Sequence, residues 1–473
     1  MRKRCGRSSK LTVRRSLVRR VIAVAVIAVV GSCATHYQLP LRTALDVYVN
    51  SPDATYRWDI VGEYKTERGT THVLDLKSQN WLTKAEVNRP EWQHWMVIFE
   101  PEEITSDTAL LFIGGGKNGG EPPQSTDQRL EQLAVATKTV TVQLGMVPNQ
   151  PLVFAGSDGK PRVEDDLLGF AWAKHLENQD PFWLPRMAMV KSAVRAMDAT
   201  QEYLGSREQI PRTISHFVVA GGSKRGWTTW LTGAVDSRVV AIVPIVIDVL
   251  NVVPSMKHHH AAYGFWAPAV HDYVEHGLME KIDSAGVASI LELVDPYSYR
   301  HRLTMPKFIL NAAGDQFFLP DSSRFYWSGL RGENYLRYVP NTDHSLRKSD
   351  AHESLLAYYH AIVTDTPRPR FSWKILPNGS IHVETVDRPS EVNIWTAVNP
   401  GARDFRLETL GPAFVSRPLG EETPGVYVAR ESIPEKGWKA FFVELTFGNS
   451  DGETPPLKFT SGVSVLPDEL PFE

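Results

Sequence analysis

Only two cysteines, Cys5 and Cys33, occur in 473 residues, and the run VIAVAVIAVV at Val21–Val30 holds just ten apolar side chains. Ten residues span about half a bilayer, so this run is too short for a stable transmembrane helix. It follows the basic stretch MRKRCGRSSKLTVRRSLVRR, the layout of an export signal. If Cys5 leaves with that signal, no intramolecular disulfide and no Cys-based zinc or iron–sulfur site can form, and stability must come from core burial. A basic excess is missing too. Residues 1–32 carry nine Lys or Arg and no acid, and the rest balances 42 basic against 54 acidic side chains, a net −12. That excludes nucleic acid as an expected partner, because phosphate binding needs a basic surface. No glycine pattern fits a dinucleotide or nucleotide site: no G-x-G-x-x-G follows the first strand, and Gly-Lys is never followed by Ser or Thr.

The composition, 42% apolar and 22% charged, is that of a globular chain long enough for more than one core. Small residues flank Cys33 in VGSCA, so two processing routes are open: a lipobox with lipid on the Cys33 thiol, or cleavage after Ala34. The pair Arg14-Arg15 before Ser16-Leu17-Val18 is compatible with twin-arginine export as well as the general route. The expectation is an exported protein of a bacterial envelope, anchored to a membrane through Cys33.

Beyond residue 45 the texture divides. Arg57–Val73, Trp92–Phe99, ALLFI and TKTVTVQLGMV read as strands. From Asp165 the period changes, and 187–204 reads as an amphipathic helix. HFVVA, AIVPIVI and KFILNAAG are short continuous apolar runs, the signature of strands buried on both faces of a parallel sheet. Strands alternating with helices predict an α/β fold, a mostly parallel sheet flanked by helices. Residues 248–304 read as a helical, cap-like insertion. After Thr364 short alternating runs separated by turns predict an antiparallel β-sandwich. The expected organisation is a signal over 1–33, an α/β domain over 34–366 and a β-sandwich over 367–473.

The stretch FVVAGGSKRGW, 217–227, joins a strand to a helix through Gly221, Gly222 and Ser223. Such a strand–turn–helix is what a nucleophile elbow requires, with Gly226 letting the helix approach the strand. Ser223 at a helix N-terminus is either an activated nucleophile or a plain N-cap. A nucleophilic serine needs a base, and the base an orienting carboxylate, in the chain order Ser, acid, His. Asp315 follows KFILNAAG and His344 follows LRYVPNTD, 29 residues on; Asp321 and Asp343 are further candidates for the acid. The Lys224 N–H and the loop Gly115-Gly116 after ALLFI are the expected oxyanion donors. Arg225, Asn118 and Trp227 are candidate substrate contacts, although Lys224 and Arg225 would equally well salt-bridge to the scaffold. Glu164-Asp165-Asp166 reads as an N-terminal capping cluster. His258-His259-His260 reads as a polar cap surface; no metal and no organic cofactor is expected.

These residues together resemble a known family. ALDVYVNSPDATYRW (44–58), EWQHWMVIFEP, IGGGKNGG, EDDLLGFAWAKHLE, AGGSKRGWTTWLTGAVDSRVVAIVPIVIDVLN, DPYSYRHRLTMPKFILNAAGDQFF, NTDHSL and NIWTAVNPGARDFR are similar to the PhoPQ-activated pathogenicity-related proteins, which include the autocrine proliferation repressors of social amoebae. The resemblance implies an α/β-hydrolase fold with a C-terminal β-domain, in exported proteins linked to envelope stress and virulence. The elbow is also similar to the G-C-S-R-x-G turn of glucuronoyl esterases, but with Gly222 and Lys224 in place of the Cys and Arg, which speaks against a sugar-uronate ester. The expected activity is esterase-like hydrolysis of a small-molecule ester by Ser223, His344 and Asp315. The alternatives are a non-catalytic secreted regulatory protein on the same scaffold, or a peptidase related to prolyl oligopeptidases.

Overall fold

The apolar runs that alternate with helical periods become one twisted nine-stranded sheet. The computed structural model describes residues 42–207, 212–448 and 454–473; the expected signal, residues 1–33 with Cys33, lies outside them. The strands are β1 (Arg57–Thr66), β2 (Gly69–Asn80), β3 (Glu91–Pro101), β4 (Thr108–Ile113), β5 (Thr141–Leu144), β6 (His216–Gly222), β7 (Val239–Ile245), β8 (Lys307–Ala312) and β9 (Asn334–Val339). Their order is β1-β2-β3-β5-β4-β6-β7-β8-β9. The first three run antiparallel to their neighbours, and from β5 to β9 every pair is parallel. From β4 the chain steps to β5 on one side and then crosses back to β6 on the other. Such a reversal opens a crevice at the carboxyl ends of the strands.

Helices cover both faces. Main elements are α1 (Ala44–Asn50), α2 (Gln128–Thr137), α3 (Glu164–Asn178), α4 (Pro185–Gly205) and α5 (Lys224–Val235). Between β7 and β8 come α6 (Val252–Tyr263), α7 (His271–Glu275) and α8 (Ala285–Val294), and α9 (Ala351–Val363) follows β9. The period-2 rule places successive strand residues on opposite faces. In β6, Phe217 and Val219 accordingly join the cluster under α4 and α5, while Val218 and Ala220 join the cluster that includes Leu130 of α2 and Tyr358 of α9. Three helices, α1, α2 and α9, arise from segments with no expected helix. Asp127 caps α2, its carboxylate accepting from Arg129 and Leu130 N–H, and only Leu130, Leu133, Ala134 and Thr137 face inward.

The C-terminal alternating runs form two antiparallel sheets. One contains β10 (Phe371–Ile375), β11 (Ile381–Thr385), β14 (Glu421–Thr423) and β15 (Val426–Ala429). The other contains β12 (Glu391–Asn399), β13 (Val415–Pro418), β16 (Trp438–Phe447), β17 (Leu457–Thr460) and β18 (Ser464–Leu466). Their apolar faces merge with the main sheet's: Phe459 of β17 packs on Phe308 of β8 and Tyr335 of β9. Residues 42–473 accordingly form one compact unit. No helix among the described residues is long and apolar enough to cross a membrane.

Candidate active site

The site grows from the junction of β6 and α5. Gly221 faces the Arg225 backbone so closely that a Cβ there would sit 2.8 Å from its carbonyl oxygen, and at Gly226 a Cβ would meet the Gly221 and Ile245 carbonyls at 2.9 Å. Glycine at both positions lets the helix start on top of its own strand. The bend is absorbed by Ser223, which takes φ +58° and ψ −126°. This is a strained conformation for a residue with a Cβ, of the kind that is kept where it positions a functional group. The Ser223 side chain makes no cap hydrogen bond, so the N-cap reading does not describe it. Its N–H donates to the Ile245 carbonyl at 2.8 Å, which leaves a half-buried hydroxyl at the end of the strand.

Asp315 and His344 meet beyond the ends of β8 and β9. His344 Nδ1 lies 2.7 Å from Asp315 Oδ2, and Asp315 is 5% exposed. Its other oxygen accepts the Phe317 N–H at 2.7 Å, while the His344 N–H donates to Gln316 Oε1. An ionised carboxylate only accepts, so Nδ1 carries the proton and Nε2 offers a lone pair. That Nε2 is buried and has no hydrogen-bond partner. Phe317 packs over the ring with centroids 4.3 Å apart. The other two candidate acids are engaged elsewhere: Asp321 with Arg403, His258 and Arg324, Asp343 with the Ser345 hydroxyl. No hydrogen bond joins Ser223 to His344. Gly222, the residue before Ser223, lines a cavity together with His344, whereas Ser223 itself lines a second, narrow cavity of about 70 Å³ with Phe317 and Phe318.

The glycine loop after β4 is tied to the elbow by charge. Ile113 pairs with Gly221 across β4 and β6, which brings Gly114–Gly116 alongside the start of α5. A Cβ on Gly115 would lie 2.7 Å from Arg225 Nη2. Gln150 donates to both the Gly116 carbonyl and Glu164 Oε1, and Glu164 takes Arg225 through both carboxylate oxygens, at 2.9 and 2.7 Å. Lys224 Nζ sits 2.8 Å from Glu164 and 3.1 Å from Asp165. Burial would raise the Glu164 carboxyl, but the Arg225 hydrogen bond and the Lys224 and Arg225 charges outweigh it and hold it down at about 2. Glu164-Asp165-Asp166 therefore does more than cap a helix: the first two neutralise Lys224 and Arg225, and Asp166 binds Arg162 and His276. The N–H groups of Gly115 and Gly116 have no protein acceptor among the described residues, although neither glycine lines the cavity beside Ser223.

The remaining candidates separate. Trp227 lines the Ser223 cavity and donates from Nε1 to the Val294 carbonyl. Arg225 is taken up by Glu164 and the Val147 carbonyl, the scaffold role. Asn118 donates its side-chain amide to the Pro151 carbonyl and lines a different hollow, with Trp95 and Gly119. Of the histidine run only His260 is a polar surface: His258 and His259 are 7% and 0% exposed, His258 against Asp321 and His259 accepting the Ala267 N–H. Two buried groups carry no signal in the sequence. Asp248, after β7, accepts from the Tyr326 and Tyr338 hydroxyls at 2.5 and 2.6 Å. Arg186, on α4, stacks on Trp227 with its guanidinium carbon 3.7 Å from the ring centroid.

A serine on a strained strand–helix turn, an Asp–His pair on later strand ends and a parallel sheet with a switch point define an α/β-hydrolase-like scaffold. The chain belongs to the PhoPQ-activated pathogenicity-related protein family, whose model matches residues 45–406. It is 40% identical over 458 residues to autocrine proliferation repressor protein A of Dictyostelium discoideum, covering 91% of this chain and 92% of that one. Among solved structures it is similar to an acetyl xylan esterase from Paenibacillus sp. R4, at TM-score 0.48 and 15% identity over 69% of this chain and 96% of that one. It is also similar to the acylaminoacyl peptidase of Pyrococcus horikoshii, at TM-score 0.41 and 12% identity over 65% of this chain and 50% of that one.

Proposed function

We propose that this chain is a serine hydrolase of carboxylic esters, with Ser223 as nucleophile, His344 as general base and acid, and Asp315 as the orienting carboxylate. The observation that carries the reading is His344, with Nδ1 fixed by a buried carboxylate at 2.7 Å and Nε2 buried without a partner. An orphaned basic nitrogen inside a protein calls for a reason, and receiving the Ser223 proton supplies one. Nucleophile–base contacts are often long in the absence of substrate and tighten when it binds. In the first half-reaction Oγ attacks the ester carbonyl carbon while Nε2 takes its proton. The oxyanion of the tetrahedral intermediate is held by the Lys224 N–H at the start of α5 and by the free N–H groups of Gly115 and Gly116. Collapse breaks the C–O bond, Nε2–H protonates the departing alcohol, and an acyl-serine remains. Water, deprotonated by Nε2, then attacks that ester, the acid leaves, and the proton returns to Oγ.

The basic, then apolar N-terminus supports export, with lipid on Cys33 as the membrane anchor, and the family's name supports a role in envelope stress or virulence. A second reading is favoured by two observations: the 40% identical relative is named as a proliferation repressor, and Ser223 and His344 share no hydrogen bond. On that reading the scaffold binds and signals without turnover. Hydrolysis of p-nitrophenyl acetate and butyrate by the purified chain separates them. Turnover that falls to background in Ser223→Ala, with an unchanged circular dichroism spectrum, supports the hydrolase. A folded wild-type chain with no turnover of any ester favours the repressor-like role.

A further inference from the structure

Ser223's cavity has mostly apolar walls and one charge with no ion-pair partner among the described residues. Ile247, Val252, Met256, Leu278 and Val287 from the β7 end and the helices between β7 and β8 close it, with Trp227 on the α5 side. Arg186 reaches into it from α4 while only 2% exposed. Seven arginines among the described residues have a buried Nε with no hydrogen-bond partner. Six of them hold a carboxylate within ion-pair distance through another atom or at longer range. Arg186 does not; its Nη1 makes one long contact to the Lys224 carbonyl, at 3.4 Å.

The nearby acids are committed to other groups. Asp165 is held by Lys224 and by the Tyr273 hydroxyl, and Asp295 accepts the backbone N–H groups of Val252 and Tyr297. Burial works against the Arg186 charge, while Tyr273, by its charge and a side-chain hydrogen bond, and the Asp165 and Asp295 charges support it. Asp165, paired with Lys224, lines the same cavity, but a guanidinium kept in a mostly apolar hollow with no carboxylate of its own within ion-pair distance is an anion site awaiting its anion. Position says which part of the substrate enters. His344 must protonate the leaving alcohol, and His344 lines the other cavity, with Gly222 and Arg129. The cavity on Ser223's own side is left for the acyl group.

Resting on the hydrolase reading above, we propose that the substrate is an ester whose acyl part is an apolar chain or ring carrying a carboxylate, and that Arg186 is the specificity-determining residue that pairs with it. The apolar body is buried against Trp227, Met256 and Leu278, and the guanidinium takes the carboxylate with its free donors.

The test compares p-nitrophenyl hexanoate with the mono-p-nitrophenyl ester of adipic acid, the same length with a terminal carboxylate. In the wild-type chain kcat/KM for the adipate ester should exceed that for hexanoate by about tenfold or more, as for a charge-assisted bidentate contact. In Arg186→Met the ratio should fall below one, and Arg186→Lys should recover it in part. Wild-type preference for hexanoate, or a carboxylate preference that survives in Arg186→Met, overturns the proposal. The wild-type comparison decides alone if the variants do not fold. Fluorophosphonate labelling separates the two levels. A protein labelled at Ser223 that prefers hexanoate loses only the carboxylate assignment, whereas an unlabelled, folded protein loses the hydrolase reading and this proposal with it.

Discussion

Replacing Asp315 by Asn changes one atom and tests the proton path. Both carboxylate oxygens are used, Oδ2 on His344 Nδ1 at 2.7 Å and Oδ1 on the Phe317 N–H at 2.7 Å. An amide has one acceptor. If its oxygen stays with Phe317, the NH₂ faces Nδ1, which must become the acceptor, and the proton moves to Nε2, where no base is left for Ser223. If the amide flips, two donors confront each other at Phe317, a loss of about 1–3 kcal/mol for an unsatisfied buried group. The first arrangement is the cheaper one, and wrong-tautomer variants of Ser-His-Asp enzymes lose about 10⁴-fold in kcat, or about 5.4 kcal/mol at 1.36 kcal/mol per decade. The assay is kcat/KM on a p-nitrophenyl ester from pH 6 to 9, beside a urea unfolding midpoint. The expected result is a loss of about three to four decades with a stability change of no more than about 3 kcal/mol. Activity within about tenfold of wild type would show that Asp315 does not set the His344 tautomer.

Other perturbations separate the scaffold from the chemistry. Gly226→Ala puts a methyl 2.9 Å from two backbone carbonyls that cannot swing aside, so it should cost about 2–3 kcal/mol or more in a urea titration; a neutral effect would mean α5 can lift off β6. Glu164, whose carboxyl is held at about 2 against an ordinary 4.5, binds fewer protons folded than unfolded, so its contribution is complete above pH 4.5 and is lost as pH falls toward 2. Glu164→Gln should lower stability at neutral pH and flatten that acid limb, and an unchanged limb would contradict the network. Asp248 has the opposite sign. Burial, with the Asp315 and Asp321 charges, raises it to about 7 against the hydrogen bonds from Tyr326 and Tyr338, so the folded state holds the extra proton and stability falls as pH rises from about 4 to 7. In Asp248→Asn the thermal midpoint should drop less between pH 5 and 8 than in the wild type; a parallel drop would refute the assignment.

The elbow was legible because two periods meet within eleven residues. HFVVA alternates onto both faces of a sheet, TTWLTGAV turns at helical spacing, and only a glycine–serine corner separates them. Asp315 and His344 were legible for a related reason, each standing in the loop just beyond a strand-like segment, KFILNAAG and LRYV. Pairing was harder to read than placement. Glu164 and Arg225 stand 61 residues apart, and the acidic cluster and the cation pair each have a plausible local role, cap and substrate contact, until the fold brings them into contact. Arg186 sits in an amphipathic helix where an arginine ordinarily marks the solvent face, and nothing local shows that this turn of α4 looks into a cavity. The helix α2 hides in a polar stretch because one narrow face, Leu130, Leu133, Ala134 and Thr137, is all that it buries. Three consecutive histidines suggest a wet surface, yet two are buried, His258 against Asp321 and Phe325 from beyond β8 and His259 against Tyr263 and Trp266.

The most direct measurement is the intact mass of the purified chain after exposure to a fluorophosphonate, with the modified residue located by peptide mapping. The expected result is a single stoichiometric phosphonyl adduct on Ser223, absent from Ser223→Ala and slowed by orders of magnitude in His344→Ala. A folded chain that remains unmodified, or one modified at another serine, would contradict the assignment of Ser223 as the nucleophile.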